Sequence, residues 1–348
     1  MRADKELGFL LIYENVAWYD NGVVRILDRR IYPREKSFVQ CNTHYEVARA
    51  IADMVTQSAG PYTAAAMGMI LAYRESLKEP NPWKYLEESA YRLSHARPTT
   101  THRMKQVVNG CLSVIKKAIE SNKNPEHELM DYNISQLEKR YNKMEEVSRY
   151  LVDLIPENGK IMTQCFGETI VGMMIRTAKN NGKSISLVCP ETRPYLQGAR
   201  LTASVAADMG IEVTVITDNM VAAYIKNKGI DIFTSAADSI CMDGNVVNKV
   251  GTYQMAIVSH FHEVPYFVTG IPDIDHVSIS DVIIEQRNPE EVLSCHGVKH
   301  VHPGTIGWYP AFDIVPPHLI KGVVTDKGVF SPYDLKRYKE FGTGDFYL

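Results

Sequence analysis

The stretch "SISLVCPETRPYLQGARLTASVAADMGIEVTVIT" (residues 184–217) opens and closes on a short apolar run, "SISLVC" and "EVTVIT". Between the two runs lies a helical pattern that stops at Gly210, as a helix C-terminus would. Strand, helix, strand at this spacing is a βαβ crossover, which requires the two strands to lie parallel in one sheet. The same texture extends in both directions. "KIMTQC" (160–165), "DIFTSA" (231–236) and "PYFVTG" (265–270) are further apolar runs separated by helical segments. The expected fold is therefore α/β, with a Rossmann-like parallel sheet domain in the C-terminal part, buried on both faces.

The N-terminal part reads differently. "AWYDNGVVRILDRRIYP" (17–33) places Asn21-Gly22 between two β-rich runs, a hairpin signal. From Thr43 the pattern is helical, with Thr43 as a candidate N-cap. The Ala- and Met-rich "GPYTAAAMGMILAYRESL" (60–77) implies close helix packing. A helix follows at 101–121, and a long amphipathic helix within 122–146. The expected layout is a smaller β-hairpin plus helical domain over 1–130 and the Rossmann-like domain over 131–348, joined within the helical connection 122–150.

Composition excludes several classes. The chain has 348 residues and a formal net charge of -3, so no whole-chain nucleic-acid or membrane-surface patch is expected. No apolar run approaches the ~18 residues of a spanning helix, and the N-terminus lacks a signal-peptide pattern. The expectation is a soluble, cytoplasmic protein. Six scattered cysteines without a C-x-x-C pair read as free thiols. His260, His262, His296, His300 and His302 lack a metal-ligand spacing, so no metal is expected. Neither G-x-G-x-x-G nor G-x-x-x-x-G-K-[ST] is present, which disfavours dinucleotide and P-loop chemistry.

Ligands of doubly wound sheets bind beyond the carboxyl ends of the strands. Applied here, that rule selects Cys165 after the first run, Arg193 and Gln197 after the second, and Asp218 and Asn219 after the third. Asp238 follows the fourth, with Asn248 and Lys249 leading into the next helix. A thiol, a carboxylate, a carboxamide and a lysine beside a helix N-terminus make one rim suited to a phosphate-bearing substrate. Each residue alone would be an ordinary structural one.

Three segments then carry a resemblance: "TRPYLQGARLTA" (192–203), "DSICMDGNVVNKVGTYQMAI" (238–257) and "YPAFDIVPPHLIKGVVTDKGV" (309–329). They resemble the 5-methylthioribose-1-phosphate isomerase family. That family also takes in ribose-1,5-bisphosphate isomerases and regulatory subunits of the translation-initiation nucleotide exchange factor. The resemblance runs from about Thr43 to Gly328. It implies an aldose–ketose isomerase of a 5-modified ribose 1-phosphate, with a 5-methylthio or 5-deoxy substituent. It implies no cofactor, a homodimer, and a product feeding methionine salvage or deoxyribose disposal.

By the same resemblance Cys165 falls on the catalytic cysteine and Asp238 on the catalytic aspartate. Gln197, Asn248 and Lys249 fall on substrate-binding positions. Arg97, in "SHARPTTTHRM" (94–104), falls on a phosphate-binding arginine. The family's R-G-A-P-A-I-G segment corresponds to "TQSAGPYTAAAMG" (56–68), which has no arginine, leaving the backbone N–H groups of Ser58, Ala59 and Gly60 to cradle a phosphate. Asp238 is expected to be a proton donor whose pKa is raised by the apolar Ile240, Cys241 and Met242. Ribose 1,5-bisphosphate is the alternative substrate. A non-catalytic regulatory subunit is the alternative of another class, which the presence of both Cys165 and Asp238 disfavours.

Overall fold

A computed structural model describes residues 2–97 and 101–341. They divide into two compact units, one reaching to Asn142 and the other beginning at Lys143.

In the N-terminal unit, strands β1 (Ala17–Asp20), β2 (Val23–Leu27) and β3 (Phe38–Cys41) form an antiparallel sheet in that order. Asn21 and Gly22 both take positive φ (47° and 88°), the tight turn that the Asn-Gly pair selects. The expected hairpin is thus real, and β3 extends it by a strand that the sequence pattern did not announce. Helix α1 (His44–Ala52) is capped by Thr43, whose side chain accepts a hydrogen bond from Glu46 N–H. Helix α2 (Gly60–Ser76) is buried along most of its length. Gly68 lets its neighbours approach closely: a Cβ there would stand a tight 3.0 Å from Val47 of α1 and 3.2 Å from Leu93 of α3 (Pro82–Ser94). Helices α4 (Thr101–Glu120) and α5 (Pro125–Leu154) follow, and the division between the units falls inside α5.

The C-terminal unit alternates strand and helix: β4 (Gly159–Met162), α6 (Thr169–Asn180), β5 (Ile185–Pro190), α7 (Ala203–Asp208), β6 (Glu212–Ile216), α8 (Val221–Lys228) and β7 (Ile232–Ala236). Then come the short β8 (Ser239–Ile240), β9 (Val246–Lys249), α9 (Thr252–Phe261) and β10 (Tyr266–Thr269). The one-turn α10 (Glu290–Leu293) precedes the small ribbon of β11 (Ser294–Cys295) and β12 (Val298–Lys299). The chain finishes with β13 (Phe312–Val315), β14 (Gly322–Thr325), β15 (Gly328–Phe330) and α11 (Lys336–Glu340).

The main sheet has the order β15-β14-β10-β7-β4-β5-β6 and is parallel except for β15. Met162, Val188, Phe233, Val268 and Val323 form its core, with the Phe233 and Tyr266 rings stacked 4.2 Å apart. Each such side chain contributes about 1.5–3 kcal/mol by leaving water, which is why these strands read as continuous apolar runs. A second, antiparallel sheet in the order β13-β9-β8 branches off directly after β7. Among the described residues no helix is long and apolar enough to cross a membrane.

Candidate active site

The sheet order locates the crevice. From β4 the chain winds outward through β5 and β6, then returns to the other side of β4 and winds outward through β7, β10 and β14. Strands β4 and β7 are therefore neighbours whose following connections leave in opposite directions, which opens a cleft at their carboxyl ends. Cys165 follows β4, and Asp238 follows β7.

Cys165 sits in a tight loop. It takes φ 59°, and Glu168 takes φ 47°. The facing loop after β5 is held similarly, with Thr192 at φ 62° and Leu196 at φ 57°. Positive φ is costly for non-glycine residues, above all for β-branched Thr192, and such strain persists only where surrounding bonds over-determine it. Here they do. Cys165 N–H donates to Thr192 Oγ1 (3.2 Å), and Thr202 Oγ1 donates to the Cys165 carbonyl (2.5 Å). Thr192 Oγ1 in turn donates to Gln164 Oε1 (3.2 Å), and Gln164 Nε2 to the Val250 carbonyl (3.2 Å). Asp218 completes the clamp by accepting from Thr192 N–H (2.8 Å) and Arg193 N–H (2.7 Å). Asp218, a rim residue by sequence, is therefore an anchor of this loop rather than a reacting group.

Three charges act on the Cys165 thiol. Burial pushes it up to about 11; Lys249 and Arg287 pull it down, and Asp238 pushes it further up. Burial prevails, so the group is a neutral thiol at neutral pH. Lys249 is itself buried, donating from Nζ to the Ala311 carbonyl (3.0 Å) and lying 4.4 Å from the centre of the Phe312 ring. Asn248 beside it donates from Nδ2 to Thr252 Oγ1 (3.1 Å) at the start of α9. Gln197 precedes a π-helical turn (Gly198–Thr202), a feature that clusters at functional sites. Its Oε1 is buried without a hydrogen-bond partner. Thus Cys165, Asp238 and Lys249 are brought together electrostatically, and Gln197 is carried by the loop that Thr192 ties to Cys165.

One expectation fails. Asp238 is exposed, while Ile240 and Cys241 point into the core. The apolar enclosure expected around its carboxyl is not formed, because strand β8 turns the residues after Asp238 inward.

In the N-terminal unit, Ser58 takes φ 58° and Gly60 opens α2. The segment has no arginine of its own, yet two buried guanidinium groups reach it from distant positions. Arg29 Nη1 donates to the Gln57 carbonyl (2.6 Å), and Arg140 Nη1 to the Ala59 carbonyl (3.4 Å). Glycine is needed at position 60, since a Cβ there would lie 1.8 Å from Thr56 Oγ1 and 3.2 Å from Arg29 Nη1. Arg97 is partly buried, and its carbonyl accepts from Thr101 Oγ1 (3.1 Å).

Two residues near Lys249 escaped the strand-end rule. Arg287 lies outside the parallel sheet in the unremarkable "IEQRNPEE" segment, and Asp313 lies on β13, inside an apolar run. Asp313 accepts from Gly251 N–H (2.7 Å) and Tyr253 N–H (3.1 Å), capping α9 beside Lys249. Burial pushes its carboxyl up to about 6, against the pull of those N–H groups and of Lys249. A carboxyl with a raised folded-state pKa favours folding below about pH 4 and loses that contribution as pH rises to about 6. Moving from pH 7 to pH 5 should therefore stabilise the wild type by roughly 1 kcal/mol relative to Asp313→Asn, read from urea midpoints. Equal midpoint shifts in the two proteins would disprove it. Among the described residues, no group of three His, Cys, Asp or Glu side chains is placed to hold a metal ion.

Comparison with known proteins adds the following. A profile of the family described as "Initiation factor 2 subunit family" matches residues 44–332. A methylthioribose-1-phosphate isomerase of Thermoanaerobacter sp. (strain X514) is 33% identical over 336 residues, covering 90% of this chain and 95% of its own. The structure of 5-methylthioribose 1-phosphate isomerase from Pyrococcus horikoshii OT3 superposes with TM-score 0.78 at 30% identity, covering 94% of this chain and 95% of that one. The delta subunit of translation initiation factor eIF-2B from A. fulgidus superposes equally well, with TM-score 0.78 at 27% identity, covering 93% and 97%.

Proposed function

Since this chain belongs to the initiation factor 2 subunit family, we propose that it converts 5-methylthioribose 1-phosphate, or its 5-deoxy analogue, to the corresponding ribulose 1-phosphate. It is an aldose–ketose isomerase, as its curated relatives are. Fold likeness does not separate enzyme from exchange-factor subunit, because both superpose at the same TM-score. The observation that carries the reading is the site: Cys165 and Asp238 at the ends of adjacent strands β4 and β7, with the Lys249 charge acting on the thiol.

A sugar 1-phosphate is esterified at its anomeric oxygen, so its ring cannot open by simple deprotonation. In the proposed reaction Asp238 gives a proton to the ring oxygen as the C1–O4 bond breaks, leaving positive charge shared by C1 and the bridging oxygen of the phosphate ester. A carboxylic acid at neutral pH needs desolvation, and with Asp238 exposed the bound sugar itself must supply it. The C2 hydrogen then crosses to C1 with its electron pair, and the proton of the C2 hydroxyl returns to Asp238. One proton enters at O4 and one leaves at O2, so the acid is regenerated. Cys165, neutral beside this path, keeps water out. Lys249, Asn248 and Gln197 bind substrate in this scheme; of the 58–60 turn in the N-terminal unit, the Gly60 N–H expected to hold a phosphate instead donates to the Gln57 carbonyl (3.1 Å).

The isomerases similar to this chain are named for a 5-methylthio sugar phosphate, which supports an uncharged 5-substituent over a second phosphate. The test is a panel of 5-methylthioribose 1-phosphate, 5-deoxyribose 1-phosphate and ribose 1,5-bisphosphate. We expect kcat/KM for one of the first two to exceed that for the bisphosphate by at least about 100-fold. Turnover of none of the three would overturn the isomerase reading, and a preference for the bisphosphate would overturn the substrate class.

A further inference from the structure

Residues 285–287 run alongside 309–311: Ala311 N–H donates to the Glu285 carbonyl (2.8 Å), and Arg287 N–H to the Tyr309 carbonyl (2.9 Å). This addition places Arg287 beside β13, whose partner β9 ends in Lys249. The Arg287 side chain is only 7% exposed. Its guanidinium carbon lies 5.4 Å from the Tyr195 ring centre and 6.0 Å from that of Phe312, the ring that also carries Lys249. Nε donates to Glu285 Oε1 (3.0 Å). Nη1 and the Tyr309 hydroxyl are buried without a close hydrogen bond, with the Arg287 guanidinium against that hydroxyl, and Gln197 Oε1, Glu285 Oε2 and Glu291 Oε2 around them are equally unmatched.

Buried polar atoms are almost always paired, and a buried cation needs its charge compensated. Five such atoms on segments that meet around Lys249 and Tyr195 call for a partner that brings both acceptors and donors. The complement of the charged Nη1 is an anionic oxygen, and the complement of the Gln197, Glu285 and Glu291 oxygens is a set of hydroxyls. A sugar phosphate carries both. The Arg287 charge reaches the same thiol as Lys249 does.

We propose that Arg287 is a further substrate-contacting residue, donating from Nη1 to an anionic oxygen of the sugar phosphate beside Lys249. This rests on the isomerase reading given above. The planar fork matters, because the stacked rings fix its direction while a lysine would project a single mobile charge.

The test uses the full chain as wild type, Arg287→Met and Arg287→Lys, with thermal melting as the check on folding. In the panel assay kcat/KM should fall at least 100-fold in Arg287→Met and recover about tenfold in Arg287→Lys. A second readout is independent of turnover: the inorganic phosphate concentration that halves alkylation of Cys165 by iodoacetamide, followed by peptide mass spectrometry. It should rise at least tenfold in Arg287→Met, or in Arg287→Lys should the methionine variant not fold. A wild type that turns over no sugar phosphate would sink the isomerase reading, and phosphate protection would then still decide the role of Arg287. Unchanged protection with kcat/KM within threefold of wild type would show that Arg287 only ties the 285–287 segment to Tyr195.

Discussion

Asp238→Asn should lower kcat by about 10²–10⁴, the range a positioned general acid contributes, while leaving the fold as stable as wild type. The reasoning is local. Asp238 is exposed and its side chain fills no core, so an isosteric amide creates neither a cavity nor a buried unpaired group. Its backbone N–H donates to the Val247 carbonyl (2.9 Å), a bond that the substitution keeps. What is lost is the proton that must reach the ring oxygen, since an amide cannot supply one at neutral pH. Stability should be read by thermal melting and turnover with the preferred sugar phosphate. An asparagine variant with near-normal kcat would remove Asp238 from the mechanism.

Cys165→Ser is the second large effect: a drop of about 10²-fold or more in kcat, again without loss of fold. Serine fits the loop, because Cys165 is held through its own N–H and carbonyl by Thr192 and Thr202, and the Phe166 N–H that its sulfur accepts from can serve a hydroxyl oxygen equally. The chemistry does not fit. A thiol pushed up to about 11 by burial is a weakly hydrated, neutral neighbour for a migrating hydrogen. A hydroxyl in its place recruits water and strong hydrogen bonds to a reaction path that depends on their exclusion. The same neutrality argues against Cys165 as a thiolate base. In heavy water the product should therefore carry no solvent deuterium at C1, and one deuteron incorporated per turnover would establish proton abstraction instead. Double replacement of Cys165 and Asp238 should cost little more than the worse single change, as expected for groups acting as a unit.

Much of the candidate site was legible along the chain because strand ends announce themselves. The apolar runs at 160–165 and 231–236 are buried on both faces and must stop where the chain reaches the rim, so Cys165 and Asp238 could be named without coordinates. Asn21-Gly22 and Thr43 were equally plain, since positive φ and an uncapped helix N-terminus each demand particular residue types. Arg287 and Asp313 were not legible. Neither follows a parallel strand, and both matter only because the 285–287 segment and β13 are laid against β9, pairings of residues far apart in the chain. Arg29 and Arg140 belong to the same class, reaching the arginine-free 56–68 segment from positions that no local pattern connects to it.

The sequence by itself determined the element types, the parallel class of the main sheet and the rim on which chemistry is expected. Those properties follow from periodicity, which each segment carries alone. Tertiary structure alone decided the strand order. That order makes β4 and β7 neighbours, although β5 and β6 come between them in the chain, and so turns two separate strand ends into one cleft. It also left Asp238 exposed, where its apolar neighbours in sequence had suggested enclosure. Periodicity says which face of a strand is buried; the face that a loop residue presents depends on what is packed beside it.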